Sequence, residues 1–252
     1  MKTRTVLLLS MVSVVAVLLA ACGGSSDEPA TTTTAKTSTT VATTTTTAPP
    51  ATTASTTTSS STTSSVPEAV QPEQAVWPFA STSTRYSEPA AAAAGFATEY
   101  LGFADPVVGP FQQGDARSGE VEIRPQASGP VTTVLVRQLA PDDSWWVIGA
   151  STGNIQLASP ETLATITSPV AVSGTSTAFE ATVNVEVRQD DTLTPLVEST
   201  FMGGSNGDMG PFSAQLAFGP QSADAGAIVF KTLSAKDGSV WEASVVRISF
   251  GG

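Results

Sequence analysis

The stretch Phe179-Glu180-Ala181-Thr182-Val183-Asn184-Val185-Glu186-Val187-Arg188 alternates apolar and polar side chains without a break. A period of two places Phe179, Ala181, Val183, Val185 and Val187 on one side of a pleated strand, which predicts a strand buried on one face. The pattern returns at Phe212, Ala214, Leu216 and Phe218, again at Ile228 and Phe230, and after an Asp237-Gly238 turn at Val246, Ile248 and Phe250. Short strands punctuated by turn residues, with no helical period among them, predict an all-β immunoglobulin-like sandwich over residues 158–252. From about residue 157 these strands account for their own apolar faces, so this segment is expected to fold without the rest of the chain.

Five short matches lie along the same region: Ile166-Thr167-Ser168-Pro169, Val172-Ser173-Gly174, Ala178-Phe179-Glu180, Gly210-Pro211-Phe212-Ser213 and Ser234-Ala235-Lys236-Asp237-Gly238-Ser239. In order and spacing they resemble the immunoglobulin-like domain of bacterial spore germination proteins, over residues 155–250. The resemblance implies an exported bacterial protein and a sandwich lacking the disulfide of antibody domains. It also implies a germination-related setting, although nothing in the chain resembles the germination-associated domain that accompanies this one in the family.

Upstream, residues 76–157 read as an α+β domain, one helix on a small antiparallel sheet. Ser87-Glu88-Pro89 before an alanine run predicts a helix start, with Ser87 able to cap and Pro89 in the first turn. Phe96, Tyr100 and Phe103 form one aromatic stripe, and Gly102 and Asp105-Pro106 end the helix. Extended segments at 119–124, 131–138 and 145–150 are separated by Gly-, Pro- and Asp-bearing gaps, as in antiparallel hairpins. The order of elements resembles a reduced cystatin-like or NTF2-like arrangement.

The adjacent pair Trp145-Trp146 must point to opposite faces of its strand. Parity with Ile148 and Ala150 assigns Trp146 to the helix-covered core. Trp145 is left on the other face as the candidate ligand-binding residue, a stacking platform for a sugar or an anchor for a protein partner.

Before these domains the composition changes twice. Lys2 and Arg4 precede an apolar run, the order of an export signal, over residues 1–21. Leu19-Ala20-Ala21-Cys22 resembles the lipobox of bacterial lipoproteins, which implies cleavage before Cys22 and a lipid on its thiol. The acyl chains would make the membrane a partner through the anchor, without a spanning segment. Residues 22–75 are dominated by Thr, Ser, Ala and Pro; they bury too little apolar surface to order themselves and read as a disordered linker that O-glycosylation would suit.

Eleven Lys and Arg stand against 22 Asp and Glu, a net charge of −11, which argues against nucleic acid and anionic lipid as partners. The chain has no histidine and one cysteine, so Ser-His-Asp, Cys-His and His-metal chemistries have no residues to use. No catalytic residue, cofactor or metal is assigned. Asp190-Asp191 with Asp208 offer calcium ligands only without the spacing of a calcium loop, and Glu180 reads as a strand-edge carboxylate. A different class of answer, an accessory hydrolase of envelope polymers, rests on Glu120 and Glu122, which on a strand share a face at roughly 6–7 Å. The expectation is a non-catalytic, lipid-anchored, extracytoplasmic binding or structural module on the cell membrane. Its partner is an envelope protein or polysaccharide.

Overall fold

The computed structural model describes residues 71–139 and 142–251. The expected signal peptide 1–21, the expected lipidation site Cys22 and the expected linker as far as residue 70 lie outside the described residues.

Helix α1 spans Pro89–Gly95 and continues as a π-helical turn, Phe96–Leu101. Proline opens it and an alanine run favours it, but Glu88 and not Ser87 is the N-cap, and no side chain caps it. Gly102, at φ 85°, closes it in the left-handed conformation that glycine adopts without strain. The expected stripe is buried: Phe96, Tyr100 and Phe103 are at most 3% exposed, and the Phe96 and Tyr100 rings stack 5.2 Å apart.

The strands are β1 Val107–Gln113, β2 Ser118–Arg124, β3 Thr132–Gln138, β4 Trp145–Ser151, β5 Ile155–Ser159, β6 Ala164–Ile166, β7 Val170–Ala178, β8 Thr182–Gln189, β9 Val197–Met202, β10 Gly204–Ser205, β11 Gly210–Leu216, β12 Ala225–Leu233 and β13 Val240–Phe250. Sequence reading passes over β1 because Gly109-Pro110 interrupts it. It is an edge strand with an irregular register between Val108 and Phe111, the setting in which a strand tolerates proline.

The larger sheet has the order β1-β2-β3-β4-β13-β12-β8-β9, with β6 lying parallel to the end of β13. The smaller sheet has β7 at its centre, β5 and β11 antiparallel to it, and β10 parallel to its last residues. One helix and a large antiparallel sheet are thus present, and residues 155–250 form a two-sheet sandwich of the immunoglobulin-like kind.

Strands β12 and β13 are buried on both faces. Ala227, Val229, Ala243 and Val245 join the helix-side core with Phe96, Tyr100, Val121 and Val134. Ile228, Phe230, Val246 and Ile248 join the sandwich core with Val172, Val183, Val185 and Phe212. This corrects the expectation that the strands from residue 157 onward cover their own apolar faces: alternate residues of the two central strands belong to the core shared with the helix segment and the upstream strands. Among the described residues β5 also crosses position 157/158, so that line falls within a strand and not in a linker.

Strands β4 and β13 share a single register pair, Ala150 with Val245, and then part. The chain just before the helix fills the gap. Val76 and Trp77 both donate their N–H groups to Val147 O, at 2.7 and 3.2 Å, and Val147 N–H donates to Trp77 O at 2.7 Å. The last linker residues are therefore part of the fold: Ala75 is buried against Leu139 and Trp146, and Glu73 O accepts from the Arg247 guanidinium.

Candidate functional site

At one end of the sandwich the apolar core gives way to a buried polar cluster. Glu242, Ser244, Val246 and Ile248 alternate along one face of β13, so Glu242 occupies a core-facing register position and is only 2% exposed. Its carboxylate accepts from Thr152 Oγ1 at 2.5 Å, from Asn154 Nδ2 at 3.0 Å and from Thr232 Oγ1 at 3.3 Å. Ser244 Oγ accepts from Thr152 N–H and donates to Ile155 O. Burial pushes the Glu242 carboxyl above the ordinary range, against the pull of the hydrogen bonds from Thr152, Asn154 and Thr232. Thr152 and Asn154 come from the β4–β5 turn and Thr232 from β12, so this cluster ties that turn to β12 and β13.

Above Glu242 lies a cleft of about 460 Å³, rimmed by Phe179, Leu233, Lys236 and Trp241. Phe179 is not the first core residue of β8, as the alternation predicts; it is 65% exposed. Glu180 and Ala181 take left-handed conformations, φ 55° and 59°, and these break the pleat before β8 begins at Thr182. Gly203 holds the break by donating its N–H to Ala181 O at 3.0 Å. A Cβ there would stand 1.9 Å from Ser176 Oγ. Two successive non-glycine residues in this region are costly, and such strain gathers at functional sites. Here it turns an aromatic ring out to solvent beside the cleft.

The cleft combines aromatic and aliphatic walls with amides and one ammonium group. Among the described residues Glu242 is the only carboxylate lining it, and that carboxylate is held by its three neighbours. The arrangement suits non-covalent recognition. Sequence reasoning missed Glu242, although its signal was present: an acid sharing parity with Val246, Ile248 and Phe250 on an apolar face.

The other expected residues lie elsewhere. Trp145 is half-buried on the helix side, packed edge-to-face on Phe111 at 5.1 Å, and Trp146 is 1% exposed on the opposite face, with Ala75 and Leu139 and beneath the Arg85 guanidinium at 4.7 Å. The parity argument thus put Trp146 in the wrong core. A bulge pairs Val147 with Val136 and Gly149 with Leu135, so parity switches between Ile148 and Ala150.

Glu120 is exposed on β2, and Glu122 is paired with Arg124 at 3.2 Å. Asp190 is bound by Arg247, Asp191 accepts from Ser81 Oγ at 2.5 Å, and among the described residues no three His, Cys, Asp or Glu side chains cluster as a metal site would. Another carboxylate pair, Glu186 and Glu198, stands directly opposite across β8 and β9, but Glu186 is ion-paired with both Arg188 and Lys231. Among the described residues no helix is long and apolar enough to cross a membrane.

No curated protein and no solved structure matches the chain. The match that exists covers the sandwich from the β4–β5 turn to the turn before β13, and so includes the strained segment and most of the cleft rim. Residues 154–239 match the family model of the immunoglobulin-like domain of bacterial spore germination.

Proposed function

We propose that the protein is a non-catalytic binding module of the bacterial cell envelope, anchored to the outer face of the cell membrane by a lipid on Cys22. The linker ahead of the residues that join the fold sets the folded part away from the bilayer, and the cleft at the sandwich end receives an envelope protein or polysaccharide. The observation that carries this reading is the convergence at that cleft. Ala178-Phe179 and Ser234-Ala235-Lys236 come from separate parts of the chain, both belong to the family-like segments, and both line the same opening. The setting implied by the family is germination-related.

The experiment is proximity labelling on intact cells with the wild type and with Phe179→Ser combined with Lys236→Glu. Both residues are exposed, so the variant should keep the wild-type melting temperature and lose the labelled envelope partner. An unchanged labelling profile would remove the cleft from the proposal. The anchor is tested separately: Cys22→Ser should abolish lipid labelling and release the protein from the membrane fraction or trap its precursor.

A further inference from the structure

A second opening, which shares no lining residue with the sandwich cleft, lies where β3 and β4 meet β5 and the β5–β6 connection. It is a groove of about 560 Å³, within the size range of small-molecule sites. Leu135, Ile148, Leu157 and Leu163 make it apolar. Ile148 lies on this face because the β4 bulge separates it from Ala150, which turns to the helix. Leu163 forms the lip: it is 52% exposed and left-handed at φ 66°, and its N–H is fixed to Arg247 O at 2.7 Å. Leu163 thus presents an apolar side chain, on a left-handed backbone, at the mouth of the groove.

Charge distinguishes this groove from an ordinary hydrophobic patch. Eight Lys and Arg side chains lie among the described residues, and six of them are in ion pairs. The two that are not are Lys236, on the sandwich cleft, and Arg137, on this groove. Arg137 also borders the neighbouring polar depression beside Gln112 and Gln113, and so stands at the boundary between apolar and polar surface. In a protein with twice as many acids as bases, a guanidinium without an ion pair at the end of an aliphatic channel matches a ligand with one anionic head and an apolar tail.

We propose that this groove binds a free fatty acid, with the carboxylate on Arg137 and the chain along Leu135, Ile148, Leu157 and Leu163. The net charge of −11 opposes an anionic membrane surface, but a single carboxylate seated on one guanidinium is governed by that local contact. The proposal is independent of the partner reading for the sandwich cleft, because the two openings share no residue.

The test is calorimetric titration of residues 23–252, which contain every described element, with octanoate, decanoate, dodecanoate and dodecanol. Affinity should rise about three- to fourfold per methylene until the groove is filled. Arg137→Gln should weaken dodecanoate by about tenfold or more while leaving dodecanol nearly unchanged, since a hydrogen bond to a charged group is lost only with the carboxylate. Leu163→Asp, at an exposed position, should weaken both ligands without altering the melting temperature. Three results would overturn the proposal: no binding of dodecanoate below millimolar concentration, equal loss of acid and alcohol in Arg137→Gln, or amide shifts in the NMR spectrum that gather around Phe179 and Trp241 instead of Leu135 and Leu163.

Discussion

The two cores of this molecule use opposite faces of the same pair of strands and close themselves in different ways. The sandwich core is apolar until it reaches Glu242, whose single charge is surrounded by neutral donors. The helix-side core ends in ions: Glu186 is paired with Arg188 and Lys231, and Asp190 with Arg247. Arg188 Nη1 also donates to Tyr100 O at 2.6 Å, and its guanidinium lies 4.9 Å from the Tyr100 ring, so the cluster attaches the sandwich to the end of the helix. Burial pushes the Tyr100 phenol far above its ordinary range, which keeps it neutral beside these ions. Neutral apolar packing tolerates many arrangements, whereas buried ion pairs are costly unless their geometry is met. The helix side is therefore where charged contacts join the two segments, and the sandwich side is where neutral packing covers the apolar strands.

The strongest way to break this comparison is to remove one side. A fragment of residues 158–252 loses part of β5 and exposes Ala227, Val229, Ala243 and Val245 together with Arg188 and Arg247. It should show no cooperative unfolding transition by circular dichroism. A fragment that melts sharply would mean that the helix only decorates a self-sufficient sandwich.

Within the intact protein, one substitution probes each core. Phe230→Ala in the sandwich should cost about 3–5 kcal/mol in denaturant unfolding, as truncation of a fully buried aromatic does. Glu186→Ala should cost a similar amount, about 3–5 kcal/mol, because it leaves Arg188 and Lys231 without their counter-ion; replacing Glu186, Arg188 and Lys231 together by apolar residues should recover much of it. Failure of that triple replacement to recover stability would show that the ions contribute more than their mutual satisfaction.

The tryptophans sharpen the comparison on the upstream half of the sheet. Trp146→Ala should cost about 3–5 kcal/mol, and Trp145→Ala less, because Trp145 is half-buried against Phe111. Equal losses would place both rings in one continuous core.

The smallest effect concerns Glu242. Its folded pKa is raised, so the folded state holds the proton more tightly than the unfolded state does. Its contribution to stability is then greatest below the ordinary Glu range and declines as pH rises through the raised value. Glu242→Gln removes this titration. The melting temperature of the wild type relative to that variant should fall over the interval from the ordinary Glu range up to the raised value. A difference that stays flat over this interval would mean that the hydrogen bonds from Thr152, Asn154 and Thr232 cancel the cost of burial.

The alternation at Val183, Val185 and Val187, the aromatic stripe of the helix and the family-like segments were all legible in the chain, because each depends on neighbours within a few residues or on a fixed local period. What lay beyond reach is of another kind. Phe179 continues the alternation in sequence, but two left-handed residues pinned by Gly203 turn it outward. Ala150 has the parity of Trp146, but a bulge against β3 sends it to the other face. The line at 157/158 looks like a linker, with Ser159-Pro160 beside it, yet β5 runs through it to pair with β7. Which faces of β12 and β13 are covered, and which cations remain without ion pairs beside a cleft, follow from contacts between residues that are far apart in the chain. A local period determines that a face is apolar; only the packed structure decides what covers it, since that depends on which distant strand supplies the complementary surface.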